Sequence, residues 1–96
     1  MLLFFPFSAF SLVTVGSTDA SHAFAAPVVL SDIFARVGGP DDSPVAANTM
    51  VHIKASNVVG DNLWLWRADH TATGLVYAGE NPCAHGLVVD GDDVAM

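Results

Sequence analysis

Trp64-Leu65-Trp66-Arg67, with Asp69-His70 just beyond, is where this chain has most chemistry to offer. Residues two apart on a strand share a face, so Trp64 and Trp66 point one way and Leu63 and Leu65 the other. If the leucines face a core, both indoles lie outside. Paired exposed aromatics are a platform on which the apolar face of a sugar ring can stack. The same indoles can equally cover the protein surface beneath a neighbouring loop, each N–H finding a partner, or form a protein contact. Arg67 could neutralise an acidic sugar or a developing negative charge. Asp69 beside His70 could fix the imidazole tautomer and raise its basicity, as general acid–base work requires. Without a second base, a nucleophile or a metal, an Arg67–Asp69 ion pair with a half-exposed histidine explains the same residues. The substrate-binding candidates are therefore Trp64, Trp66 and Arg67, and the weak catalytic candidates are Asp69 and His70.

Asp61, Asp90, Asp92 and Asp93 are the residues that could hold calcium, which takes several carboxylate and carbonyl oxygens. Their spacing fits no EF-hand loop, and solvated turn acids explain them as well. His52, His70, His85 and Cys83 lack zinc-finger spacing. No resident cofactor is expected. Gly38-Gly39-Pro40 has no following Gly-Lys-Ser, so no phosphate-cradling loop is present.

The elements that must position these residues read as short strands. Ile53-Lys54-Ala55-Ser56-Asn57-Val58 and Val89-Asp90-Gly91-Asp92-Asp93-Val94 resemble one another at an offset of 36 positions (53 to 89). Each has a β-branched residue, a small or polar stretch, then valine. Upstream, Val51-His52 faces Leu87-Val88. A strand, a polar corner and a new strand opening on valine is how a coil of a parallel β-solenoid reads. Such a coil cannot bury its apolar side alone, and roughly three are needed for stability. The prediction is that the strands near Ile53 and Val89 stack in register.

From Val28 to Val37, Val29, Ser31, Ile33, Ala35 and Val37 fall on one side at period two, with Leu30, Asp32, Phe34 and Arg36 on the other. Gly38-Gly39-Pro40-Asp41-Asp42-Ser43-Pro44 is a strong turn cluster. Thr49 to Ile53 reads as a strand, Ala55-Ser56-Asn57 as a corner, Gly60-Asp61-Asn62 as a turn and Leu63 to Arg67 as a strand. Asn57 and Asn62 suit corners because asparagine tolerates the left-handed region. Ala68 to His85 reads as an excursion from the repeat, and Gly86 to Val89 as the last strand. No amphipathic helix is evident after residue 26, which points to an all-β chain.

Leu2 to Val15 is apolar apart from Ser8, Ser11 and Thr14, and too short for a membrane-spanning helix of about twenty residues. Ala23-Phe24-Ala25-Ala26 follows as a small-residue cleavage site. Residues 1–25 therefore read as a signal-peptide-like leader and 26–96 as the domain. No Lys or Arg follows Met1, and a buried strand or helix, or a mis-started frame, are the competing readings. One domain is the upper bound for 96 residues. Cys83 is the single cysteine, so no internal disulfide stiffens the chain. The net charge of −7, ten acids against three basic residues, disfavours nucleic acid and anionic membranes.

The Asp61-Asn62-Leu63-Trp64-Leu65-Trp66-Arg67-Ala68-Asp69-His70 run carries a family resemblance, together with Ser31-Asp32-Ile33-Phe34-Ala35-Arg36-Val37-Gly38-Gly39 before it and Gly86-Leu87-Val88-Val89-Asp90-Gly91-Asp92-Asp93-Val94 after it. Over about Val28 to Met96 the chain resembles large secreted microbial proteins of the right-handed parallel β-helix, pectate-lyase-like kind. Some of these carry sugar-binding domains, and some are labelled adenylyl cyclase or coagulation-factor-like. The Trp-Arg-Ala-Asp-His run is the specific part. Glu80-Asn81-Pro82-Cys83 is foreign to the pattern. The resemblance implies a fragment of a right-handed parallel β-helix that is extracellular and acts on polysaccharide by lyase or hydrolase chemistry. A glycoside hydrolase needs two carboxylates roughly 5 to 9 Å apart across a cleft, and the sequence does not place them. A non-catalytic surface or binding protein, and a truncated frame without independent function, are the alternatives.

Overall fold

The computed structural model describes residues 2–5, 9–16, 23–39, 44–68 and 81–96. These residues form β1 (Leu2–Phe5), β2 (Ala9–Val15), β3 (Ala23–Val37), β4 (Ala47–Ile53), β5 (Ser56–Arg67), β6 (Cys83–Val89) and β7 (Val94–Ala95), with no helix among them. Successive strands alternate between two sheets, ordered β1-β3-β5-β7 and β2-β4-β6. Every pairing is parallel and joins a strand to the one two places on. Parallel neighbours cannot be joined by a tight hairpin. Here the chain leaves one sheet, runs through the other, and returns one level along.

The predicted register is present. Ile53 pairs with Val89, Val51 with Leu87 and His52 with Val88, while Val58 pairs with Val94 in the other sheet. Two further spacings were not visible in the sequence. β3 and β5 are 30 positions apart (Phe34 to Trp64), and β2 and β4 are 38 apart (Val15 to Ile53). Variable connections hide these repeats, because only the strands and corners need to superpose.

The two sheets enclose Ala35, Val37, Val45, Ala47, Met50, Val51, Ile53 and Val58. Ala35, Val51, Ile53 and Val58 are fully buried. Full burial of a side chain such as Ile53 contributes about 1.5–3 kcal/mol. In the last passage of the chain, Leu87 and Val89 occupy the same inward register positions but remain 38% and 42% exposed, with β6 at the edge of its sheet.

The apolar run read as a leader supplies both β1 and β2. Leu2 to Phe5 pair with Phe34 to Val37, and Ala9 to Val15 pair with Ala47 to Ile53. The cleavage-like Ala23-Phe24-Ala25-Ala26 opens β3, so a boundary between residues 25 and 26 falls inside a strand.

Strand β3 departs from simple alternation. Ile33, Ala35 and Val37 are buried as expected, but Val29 and Ser31 are exposed, while Val28 and Leu30 pack on the core. The cause is Asp32, whose φ of 56° is left-handed. One such residue bends the strand and shifts the inward phase by one position. Asn62 lies level with Asp32 on β5 and has φ of 58°, so the bend repeats on the neighbouring strand. The predicted turn at Gly60-Asp61-Asn62 is this bend within a continuous β5. Asn57 and Asp93 form a second left-handed pair, at 65° and 53°.

Corners stack as the strands do. Lys54 N donates to Val15 O at 2.7 Å, and Asp90 N to Ile53 O at 2.9 Å. Asp92 N donates to Ser56 Oγ at 2.9 Å, while Asn57 N donates to Asp92 O at 3.1 Å. The excursion is shorter than predicted at its far end, because β6 begins at Cys83.

Candidate functional site

The bend at Asn62 determines which way the tryptophans face. Beyond it, Leu63 and Leu65 turn inward and Trp64 and Trp66 outward, the two tryptophans being 53% and 48% exposed. Trp64 lies level with Phe34 on β3, and Trp66 with Arg36. Cross-strand and diagonal neighbours on one sheet face reach one another when the side chains are aromatic. The Phe34 and Trp66 rings accordingly stack with centroids 5.9 Å apart and planes 20° apart. Trp64 and Trp66 stack at 6.4 Å and 14°. Three rings thus make one solvent-facing aromatic surface, and stacked aromatics in this range of separation attract one another.

The surface has a polar border. Trp64 Nε1 donates to Asn62 Oδ1 at 2.9 Å, and Asn62 Nδ2 donates to Asp32 Oδ1 at 2.8 Å. Trp64 therefore has its N–H satisfied at the side while the residue stays 53% exposed. Phe34 and Asp32 were not anticipated as part of this site, and Asn62 was expected only as a left-handed corner residue. The 30-position spacing of β3 and β5 was the signal that would have placed them beside the tryptophans.

Arg67 does not join this surface. It follows Trp66 on the strand, so it takes the opposite face, level with buried Val37. Its positive charge is felt on that side by Cys83, whose thiol is nevertheless pushed above its ordinary range, chiefly by burial. Cys83 is a free thiol, with Sγ 3.2 Å from His85 O. Asp69 and His70 lie outside the described residues.

A different histidine–carboxylate pair is present. His52 Nε2 stands 2.6 Å from Asp90 Oδ2, with the His52 side chain largely covered and Asp90 half exposed. Since His52 is level with Val88, Asp90 is its diagonal neighbour on the same face. The sequence reading left Asp90 as a turn acid, and the 36-position repeat was the signal that could have placed it beside His52. This contact ties the corner after β6 to β4. Asp90 is engaged there, and among the described residues no group of three or more His, Cys, Asp or Glu side chains gathers as a metal site. No helix of the described residues is long and apolar enough to cross a membrane.

A parallel two-sheet fold with stacked polar corners and an outward aromatic face invites comparison with known families. The LAM55 pectate lyase-like domain matches residues 8–96. The chain belongs to this pectate lyase-like family. Among curated proteins it is similar to an exo-beta-1,3-glucanase of Streptomyces sp. (strain SirexAA-E / ActE), with 38% identity over 90 residues. That alignment covers 93% of this chain and 14% of the glucanase, so the chain spans about one seventh of that relative's length. No solved structure matches the chain. The family match takes in β2 and the aromatic β5 alike.

Proposed function

We propose that this chain forms successive coils of a right-handed parallel β-helix in an extracellular, polysaccharide-processing protein, and that its outward aromatic face binds β-glucan. The observation that carries this reading is the stack of Phe34, Trp66 and Trp64 on one exposed sheet face. The C–H face of a glucose ring is weakly positive and flat, and it complements the negative face of an indole. The similarity to an exo-beta-1,3-glucanase favours a neutral glucan over an acidic pectic chain.

In this reading the chain supplies binding surface, and glycoside hydrolase or lyase chemistry belongs to the whole protein. A hydrolase would need a proton donor and a second carboxylate across a cleft. Asp69 and His70 remain the candidates from this chain for that work.

Affinity electrophoresis in gels containing soluble β-1,3-glucan tests the proposal, with a pectic polysaccharide as the comparison. Retardation by the glucan alone is expected. Trp64→Ala and Trp66→Ala should each weaken binding by about tenfold, equivalent to ~1.4 kcal/mol of lost contact. Full retardation of both variants would reject the aromatic face as the binding surface.

A further inference from the structure

Trp64 is held by a directed chain of side-chain hydrogen bonds. An indole N–H can only donate, so Asn62 must present Oδ1 to it; an ionised carboxylate can only accept, so Asn62 must present Nδ2 to Asp32. The observed contacts have that arrangement, Trp64 Nε1 to Asn62 Oδ1 at 2.9 Å and Asn62 Nδ2 to Asp32 Oδ1 at 2.8 Å. The chain has one polarity, and neither partner can be reversed without breaking it.

The backbone prepares this chain. Asp32 and Asn62 are level with each other on β3 and β5, and both are left-handed. Aspartate and asparagine are the side chains that adopt this conformation most readily apart from glycine. The bend therefore selects two short polar residues and points them along the same edge of the aromatic face. An exposed indole without such a bond would sample several rotamers. With it, the Trp64 plane lies at 14° to that of Trp66.

We propose that Asp32 and Asn62 are positioning residues that fix the plane of the Trp64 indole and so hold the aromatic face ready for its ligand. The functional part of this inference rests on the glucan-binding reading above. Preorganisation acts on affinity because the ordering of a mobile side chain no longer opposes binding. Neither residue need touch the sugar.

The test uses the full chain and two readouts. Near-ultraviolet circular dichroism reports the orientation of the stacked indoles, and titration with soluble β-1,3-glucan reports affinity. Asn62→Gly keeps the left-handed backbone but removes the tether. It should leave the far-ultraviolet spectrum unchanged, diminish the near-ultraviolet tryptophan bands, and lower affinity about three- to tenfold, as expected for one hydrogen bond. Asn62→Asp keeps an acceptor for the indole N–H but sets two carboxylates against each other, so the tether loses its anchor and both signals should weaken. The exchange Asp32→Asn with Asn62→Asp rebuilds the chain, with the new asparagine donating to the new carboxylate and Trp64 donating to it as well. Both signals should then recover.

An Asn62→Gly chain with unaltered tryptophan bands overturns the positioning role. So does an exchanged chain that fares no better than Asn62→Asp, whether through misfolding or through unrestored signals. Failure of the glucan reading would look different. Trp64→Ala would then leave glucan affinity unchanged, while Asn62→Gly still diminished the tryptophan bands, and the tether would stand without that ligand.

Discussion

The side-chain oxygen of Asn81 accepts the backbone N–H of Val45 at 3.0 Å, with both residues buried. Its Nδ2 donates to Ala68 O at 2.9 Å. One amide therefore satisfies the chain entering β4 and the chain leaving β5. Its φ of 52° suits asparagine, and a side chain at Gly38 would lie 2.3 Å from Asn81 Cγ. A segment that read as foreign to the family pattern is thus built into the fold. Asn81→Ala leaves a buried donor and a buried acceptor unpaired, at about 1–3 kcal/mol each. Chemical denaturation should show a loss of roughly 2–6 kcal/mol. A loss below about 0.5 kcal/mol, the range of ordinary surface changes, would show that the bridge is dispensable.

Gly91 passes closest to the backbone beneath it. A Cβ there would fall 1.9 Å from Ala55 O, in the corner where Asp92 N bonds Ser56 Oγ. Backbone cannot yield as a flexible side chain can, so the corner must lift. Gly91→Ala should separate β7 from β5 and reduce amide protection at Asn57 and Val58, whose N–H groups donate to Asp92 O and Asp93 O. Hydrogen exchange at those two amides is the measurement. Unchanged protection would mean that the corner adapts at no cost.

Removal of residues 1–25 takes away β1, β2 and the first residues of β3. Val51 and Ile53 then lose the register partners Val13 and Val15. The exposed edge of β4 would carry unpaired backbone groups beside apolar side chains, a template for self-association. A chain of residues 26–96 should melt at lower temperature, over a broader range, and bind more of a hydrophobic dye than the full chain. Cooperative melting at an unchanged temperature would show that β1 and β2 add nothing to stability.

Cys83 offers a pH-dependent readout. Burial pushes its thiol above the usual 9.0, outweighing the opposing effects of backbone hydrogen bonds and Arg67. The thiolate is the reactive form. Alkylation by iodoacetamide should therefore be slower than for a free cysteine at neutral pH, and should accelerate only at pH above the ordinary thiol range. The linkage has a definite sign. A thiol with a raised folded pKa keeps its proton when the unfolded chain has released it, so stability falls as pH rises through the unfolded value. Cys83→Ser should remove that part of the alkaline loss. A thiol as reactive at neutral pH as in the unfolded chain would contradict the shift.

How far the fold can be read from the residues is visible in two places. The pairing of Ile53 with Val89 was legible, because β-branched residues, polar corner and returning valine recur together at one spacing. The pairing of Val15 with Ile53 was not, because a short apolar run before small residues reads first as a leader, with a buried strand or helix only as the competing reading. That Trp64 and Trp66 share a face was legible from period two, but which side they take depended on the bend at Asn62. The polar edge of that face depended on the bend at Asn62 being level with one at Asp32, which follows only from the 30-position pairing. Asp90 as the partner of His52 was missed, because attention went to the Asp69-His70 dipeptide, adjacent in sequence, rather than to residues one repeat apart.

The change of phase at Asp32 makes a sharp prediction about two residues that simple alternation puts on the same face. Val29 is 61% exposed and Ile33 is 6% exposed. They are four apart, so an unbroken strand would bury both or neither. The left-handed Asp32 between them decides otherwise. Val29→Asp should change stability by no more than about 0.5 kcal/mol, as expected at a solvated site. Ile33→Asp places a carboxylate against the core and should prevent cooperative folding at neutral pH, since an unpaired buried charge is among the costliest changes available. Ile33→Ala gives the milder case, at about 2–5 kcal/mol for a cavity in a packed interior. Thermal melts of the three variants decide it. Equal damage from the two aspartates would mean that β3 runs without the bend, and that Trp64 and Trp66, set outward by the matching bend at Asn62, owe their exposure to something else.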